Sequence, residues 1–337
     1  MKMVEVKISD ITLRESEQVN SAKLSFKEKL ESAKLLEKLQ VDIIETGAVG
    51  TAPADAAFIR TLATTLEHSI LCVPVALNKK SIDSTWAALS KAKRPRLNLV
   101  TPTSTVGMEY QHQMKAEKLL PLVSEIVSHC VSLCPDVEFT AEDSVRSESK
   151  FLADVLKTAI SAGAKTITLC DSVGELLPDE LSVFIDSMYD LVPELKNVTL
   201  ALHCKDNLGL ASATALNGVS SGARLIKVSS NTGLGTLSLE QFLNVLKIRG
   251  DSLGISSGLS TTSLQRTCAR LAALTGVADR NRRVSVDTSE DINGDEAGLP
   301  EDADIDQLRS HIISIGYDVT EDDLERIHIQ FKDIART

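Results

Sequence analysis

The chain has 337 residues, 43% of them apolar and 25% charged, an ordinary globular composition that excludes a fibrous or disordered protein. Its formal charge of −11 argues against nucleic acid or an anionic membrane surface as a partner, because both would repel it. No apolar run is long enough to cross a bilayer, and the opening MKMVEVKISD has no signal-peptide core, so a cytoplasmic location is expected. Six scattered cysteines, among them Cys72, Cys170 and Cys204 inside strand-like runs, fit buried thiols better than a disulfide framework.

Along the chain, short β-branched runs alternate with longer segments of helical period. The run 4–10 precedes a helix at 27–40, 41–47 precedes 54–65, 70–77 precedes 81–91, and 96–103 precedes the long helix 115–134. The second half repeats the rhythm: 137–143 then 148–162, 166–172 then 179–192, 198–205 then 209–221, and 224–230 then 239–248. Strands joined through helices run parallel, and eight such pairs over about 250 residues predict a (β/α)8 TIM barrel, with an open doubly wound sheet as the competing solution. Pro178 with Asp179 and Glu180 suits a helix start, and Gly163 and Gly222 sit where left-handed helix caps fall.

A further helix is expected at 261–275, so the barrel domain is read as 1–275. An acidic linker follows at 276–304, then a small helical subdomain at 305–337 with helices at 305–316 and 320–335. Thr320 with Asp323 resembles a capping box, and Asp291, Asn293 and Asp295 have a faint calcium-loop spacing that solvation explains better.

In such a barrel the functional groups lie where strands end. Those positions here hold Asp10, Thr12, Arg14 and Glu15; Glu45; Thr101 and Thr103; Glu142 and Asp143; Asp171 and Ser172; His203 and Lys205; and Ser229 and Asn231. Each alone reads equally well as a cap or an ion-pair partner, but together they describe a polar pocket. Alternation along strand seven sends His203 and Lys205 one way and Cys204 the other, which disfavours Cys204 as nucleophile or ligand.

Four of these segments resemble, in order, motifs of the metal-dependent barrels that include 2-isopropylmalate synthase, homocitrate synthase and HMG-CoA lyase, the DRE-TIM metallolyases. D-I-T-L-R-E-S-E-Q (10–18) resembles D-x-T-L-R-D-G-E-Q, and V-E-F-T-A-E-D-S-V-R (137–146) resembles V-x-F-S-x-E-D-A-x-R. L-C-D-S-V-G-E-L-L-P (169–178) resembles I-x-D-T-x-G-x-x-x-P, and H-C-K-D-N-L-G-L-A (203–211) resembles H-x-H-N-D-x-G-x-A. The resemblance implies a small-molecule acid or acyl-CoA as substrate, a homodimer, and catalytic roles for Arg14, Glu15, Glu142, Asp171, Ser172, His203 and Lys205. Arg14 would hold the carboxylate or polarise the carbonyl of a 2-oxo acid, and Glu142 would serve in acid–base or positioning roles. Arg14, Glu45, Thr101, Thr103 and Arg146 are expected to bind substrate.

The sequence departs from this pattern at the metal. The family's four ligand positions fall on Glu15 in place of Asp, on His203, on Lys205 in place of the second His, and near Thr236 in N-T-G-L-G-T-L-S-L-E (231–240) in place of Asn. A protonated Lys has no lone pair, so no metal cofactor is expected; Mn, Mg or Zn would have to rely on Glu15 and His203. The His segment that reaches a neighbouring site in the synthases has no clear counterpart in 276–304. Three readings stay open: a carbon–carbon bond-forming or -cleaving enzyme with Lys205 in part of the metal's place, including a Schiff-base variant; a conventional divalent-metal acyltransferase on Glu15 and His203; and a non-catalytic ligand-binding paralogue.

Overall fold

The computed structural model describes residues 3–18, 24–111, 113–259, 262–275 and 304–314, with Leu324 and His328. The eight β-branched runs become strands β1 Lys7–Asp10, β2 Ile43–Glu45, β3 Ile70–Val75, β4 Pro95–Pro102, β5 Val137–Glu142, β6 Thr166–Asp171, β7 Thr199–Cys204 and β8 Leu225–Val228. Each pairs in parallel with the next, and β8 returns to β1 (Lys7 opposite Leu225, Asp10 opposite Val228), so the sheet closes as a (β/α)8 TIM barrel. Closure decides between the two architectures left open by periodicity: the eight-stranded sheet has no open edge.

The helices are α1 Thr12–Gln18, α2 Phe26–Lys38, α3 Pro53–Thr65, α4 Lys79–Leu89, α5 Ala116–Leu133 and α6 Ser149–Ser161. They continue with α7 Pro178–Leu191, α8 Ala211–Ser220, α9 Leu239–Leu253, α10 Leu264–Thr275 and α11 Ile305–Ser314. Local chemistry sets their ends. Ser25 and Glu28 form a reciprocal capping box on α2, Pro178 occupies the first turn of α7, and Gly163 and Gly222 take φ of 106° and 117° after α6 and α8.

Two differences from the sequence expectation bear on function. The run 4–10 is two strands, because Val4–Glu5 pairs with Ile255–Ser256 outside the barrel and only Lys7–Asp10 enters it. The segment after β1 is helical, and it is α1 that presents Arg14 and Glu15. Its seven residues are too few for an amphipathic period to show in the sequence.

The apolar core lies mainly between sheet and helices, with Leu97 and Leu99 of β4, Phe139 of β5, Leu200 and Leu202 of β7 and Ile226 of β8 facing outward. A smaller cluster of Ile43, Ile70, Cys72, Ala201 and Leu225 is separate from it. These five side chains alternate with the outward ones along their strands, which places them inside the barrel. All six cysteines are buried and unpaired.

The barrel belongs to a compact unit, Met1–Arg282; the second unit is Arg283–Thr337. In the second, α11 starts with a reciprocal cap in which Gln307 N donates to Asp304 Oδ1 (2.8 Å) and Asp304 N to Gln307 Oε1 (3.0 Å). The acidic stretch up to residue 303, the spacing at Asp291, Asn293 and Asp295, and the cap at Thr320 lie outside the described residues. So does the helix expected at 320–335, apart from Leu324 and His328. Among the described residues no helix is long and apolar enough to cross a membrane.

Candidate active site

A cavity of about 290 Å3 opens where the strands end, lined by Arg14, Glu15 and Gln18 from α1, by Pro102 at the end of β4 and by Gly107 beyond it. Glu142, Asp143 and Arg146 follow from β5, Ser172 and Val173 from β6, and His203 and Lys205 from β7. Cys204, between the last two, packs into the outer apolar core, where burial pushes its thiol up to about 12.

Three cations and three carboxylates share this lining. Lys205 Nζ donates to Glu15 Oε2. Arg146 donates twice to Asp143, from Nε and Nη2 at 2.8 Å each. Arg14 Nη1 donates to Glu45 Oε1 beneath the cavity (2.6 Å) and its Nε lies 3.9 Å from Glu15. Burial alone would lower the Arg14 pKa, but Glu45 and Glu15 outweigh it and raise it, so the guanidinium stays charged. The Glu142 carboxylate has no hydrogen-bond or ion-pair partner among the described residues.

His203 is 5% exposed, its Nε2 lies 3.0 Å from Thr236 Oγ1, and its Nδ1 lies 3.9 Å from Cys170 Sγ. Burial, then the charges of Arg14, Lys205 and Lys227, drives its pKa well below the usual imidazole value, so the ring is neutral.

The loops that carry these groups are tied together. Asp171 does not line the cavity; its carboxylate accepts the backbone N–H groups of Gly174 (2.8 Å), Glu175 (3.4 Å) and Leu176 (3.2 Å) and shapes the loop after β6. That loop lies on the next one: a Cβ on Gly174, whose φ is +70°, would sit 2.5 Å from the carbonyl oxygen of Lys205. Only glycine allows this approach. Ser172 Oγ accepts the backbone N–H of Asp143, a residue held at φ 55° in the left-handed region.

Thr103 joins the wall without lining it, with its hydroxyl bonded to Glu142 O (3.1 Å) and Ser147 Oγ (2.8 Å). Thr101 is buried, shares the outward parity of Leu97 and Leu99, and its hydroxyl finds no partner. Glu45 lies under the cavity rather than in it. The structure therefore brings Arg14, Glu15, Glu142, Arg146, Ser172, His203 and Lys205 to one space, and leaves Glu45, Thr101, Thr103 and Asp171 around it.

Sequence reasoning missed the layer below. Lys227 of β8, fully buried, donates to Glu45 Oε2 (2.5 Å) and Glu138 Oε1 (2.7 Å), and Glu138 also meets Arg96 (3.3 Å) and Thr168 (2.6 Å). The available signal was a charge set between apolar neighbours, Ile226-Lys227-Val228 and Val137-Glu138-Phe139, on the inward parity of each strand.

The family resemblance implies a divalent ion. The four ligand positions do converge: Lys205 and Thr236 pair as a β-bridge, His203 reaches Thr236, and Lys205 reaches Glu15. The donor set does not fit an ion. An ammonium already neutralises Glu15, the imidazole Nε2 faces a hydroxyl, and a neutral threonine is a weak fourth donor. A second group, Glu45, Cys72 and Glu138, has donor atoms within 4.8 Å of one another, but the Lys227 ammonium already bridges its two carboxylates.

The HMGL-like family model matches residues 5–270. The chain belongs to the HMGL-like family. A 2-isopropylmalate synthase of Carboxydothermus hydrogenoformans is 30% identical over 99% of the chain and 71% of its own length. The chloroplastic 2-isopropylmalate synthase 2 of Arabidopsis thaliana is 35% identical over 83% of the chain, but only 47% of that protein is covered. The chain thus spans about half the length of the plant relative. An HMG-CoA lyase of Brucella melitensis superposes with a TM-score of 0.68 at 18% identity, over 81% of this chain and 99% of that one. An HMG-CoA lyase of Acinetobacter baumannii, solved with coenzyme A and 3-methylmalate, gives 0.67 at 18% identity over 86% and 97%. At these identities the HMG-CoA lyase structures speak for the barrel, and the synthases and the family model speak for membership of this HMGL-like chain in the DRE-TIM superfamily.

Proposed function

We propose that this chain forms or cleaves a carbon–carbon bond at a 2-oxo or 3-hydroxy acid, with an acyl-CoA as the second reactant, and that Lys205 holds part of the ground a metal holds in its relatives. The observation that carries the reading is the convergence of Arg14, Lys205 and an unpartnered Glu142 on one cavity. The relatives named 2-isopropylmalate synthase, and the HMG-CoA lyase solved with coenzyme A and a small acid, support the substrate class.

In the forming direction, Glu142 takes the α-proton of the acyl group. The electron pair left on that carbon makes the new bond to the 2-oxo carbon, and the carbonyl π pair moves onto its oxygen between Arg14 and Lys205. That oxygen takes a proton from the Lys205 ammonium, which regains one from solvent as Glu142 gives its proton up, and water then hydrolyses the thioester of the resulting 3-hydroxyacyl-CoA to a carboxylate and free coenzyme A thiol; cleavage runs the carbon–carbon step in reverse. Fixed cations in a partly buried cavity stabilise the developing oxyanion without reorganising, which is where such sites gain most of their rate. Lys205 carries half the formal charge of a divalent ion and cannot chelate, so Arg14 has to fix the acid.

The test is thiol release from acetyl-CoA with pyruvate, 2-oxoisovalerate or 2-oxoglutarate, in the presence of a chelator. Turnover with one acid, lowered about 100-fold in Lys205→Met, is expected. No turnover with any acid, joined to thermal stabilisation by one of them, would favour a ligand-binding chain instead. The hydrogen bond that turns His203 toward Thr236 is the observation on that side.

A further inference from the structure

The charges inside the barrel form one alternating chain. Arg14 meets Glu45 at 2.6 Å, Glu45 meets Lys227 at 2.5 Å, Lys227 meets Glu138 at 2.7 Å, Glu138 meets Arg96 at 3.3 Å, and Arg96 meets Asp136 at 3.0 Å. Three cations balance three carboxylates, so the chain is neutral as a whole. Only its upper end, Arg14, lines the cavity. A lysine with no exposed surface is costly to bury unless each donor is matched. The match here is close: Asn98 Nδ2 also reaches Glu45 (3.3 Å), Thr168 Oγ1 donates to Glu138 (2.6 Å), and Thr140 joins Asn98 (2.8 Å).

Burial lowers the pKa of Lys227, but Glu138 and Glu45 outweigh it and raise it. The amine is therefore permanently charged. That removes it as a Schiff-base nucleophile, despite its central place in the barrel.

Its geometry suits another role. The two oxygens of Glu45 divide between Arg14 above and Lys227 below, so the orientation of that carboxylate, and with it the guanidinium, is fixed from beneath. Glu45 lies on β2, Lys227 on β8 and Arg14 on α1, and among the described residues no backbone carbonyl accepts from the Arg14 side chain. We propose that Lys227 is a positioning residue, an internal cation that locks Glu45 so that Arg14 presents one fixed face to the bound acid. The consequence for ligand affinity rests on the function proposed above; the placement of Arg14 does not.

Lys227→Met alone would strand two buried carboxylates and endanger folding. The informative protein is Lys227→Met with Glu138→Gln, which keeps the internal charge balanced, beside Glu138→Gln alone, in which Lys227 still holds Glu45. Crystal structures of both decide the placement without any ligand. Arg14 is expected on Glu45 in the single variant and displaced or split between two positions in the double; an unmoved, single Arg14 in the double variant overturns the proposal. Calorimetric titration with 2-oxoisovalerate then reads the effect, expected as roughly tenfold weaker binding in the double variant only. Equal affinity in the two variants also counts against it. Should the wild-type chain bind no 2-oxoisovalerate, the proposed function loses support, and the position of Arg14 still decides the role of Lys227.

Discussion

Lys205 donates to Glu15 across 190 residues of sequence, joining the end of β7 to the helix that follows β1. The pair falls on two of the positions that the family resemblance assigns to metal ligands, with His203 and Thr236 beside it on the other two. On the proposed reading, an ammonium stands where the family resemblance places part of a metal site.

If donor chemistry alone excludes the ion, restoring the donors should restore it. Glu15→Asp, Lys205→His and Thr236→Asn together are expected to bind Mn2+ with a stoichiometry near one by calorimetry, while Glu15→Asp with Lys205→His alone binds more weakly. Failure of the triple variant would mean that the path of the loop after β8 also matters.

An amine held as an ammonium cannot attack a carbonyl. Borohydride treatment with pyruvate or 2-oxoisovalerate is expected to leave Lys205 unlabelled by mass spectrometry, because its Nζ already donates to the Glu15 carboxylate. Labelling that disappears in Lys205→Ala would revive the Schiff-base chemistry.

The buried, neutral His203 makes stability depend on pH in a definite direction. Its folded pKa lies well below 6.5, so below that pH the unfolded chain takes up a proton that the folded chain refuses. Stability is full above about pH 6.5 and falls on acidification, by about 1.4 kcal/mol per pH unit until the folded pKa is reached. For Glu138, burial acts to raise the pKa, but Lys227 and Arg96 outweigh it and bring it to about 2, so the contribution of Glu138 is lost only between pH 4.5 and 2. Urea titrations of wild type and His203→Gln are therefore expected to diverge less as pH drops from 6.5 to 5. Parallel curves would show that the imidazole is charged in the fold.

Gly174→Ala adds a methyl group against the Lys205 backbone at a positive φ. A loss of about 1–3 kcal/mol is expected from chemical denaturation, together with weaker acid binding, because the loop that moves carries Ser172 and Val173 of the cavity wall. Unchanged stability would show that the loop after β6 is free to shift.

How far the sequence foretold this can be judged residue by residue. Eight β-branched runs separated by helical segments were enough for parallel pairing, whereas closure, which separates the barrel from an open sheet, became plain only in the pairing of β8 with β1. Strand ends pointed to Arg14, Glu142, His203 and Lys205, and alternation alone separated Cys204 from the cavity. It did not separate Thr101, because the parity of β4 is set by Leu97 and Leu99 and becomes plain only in the folded sheet. Asp171 looked like a site residue, yet it serves three backbone amides of its own loop, a local bond pattern that spacing does not reveal. The Lys227–Glu45–Glu138 layer joins β8, β2 and β5, and such long-range ion pairs leave no local trace beyond a charge in an apolar run.

On the proposed function, an ammonium replaces a divalent ion between Glu15 and His203. Anomalous diffraction from crystals soaked in manganese chloride tests it most directly. With Lys205 in the metal's place, no anomalous peak is expected there and Lys205 Nζ stays on Glu15; a strong peak at coordination distance from both Glu15 and His203, with Lys205 turned away, would overturn that assignment.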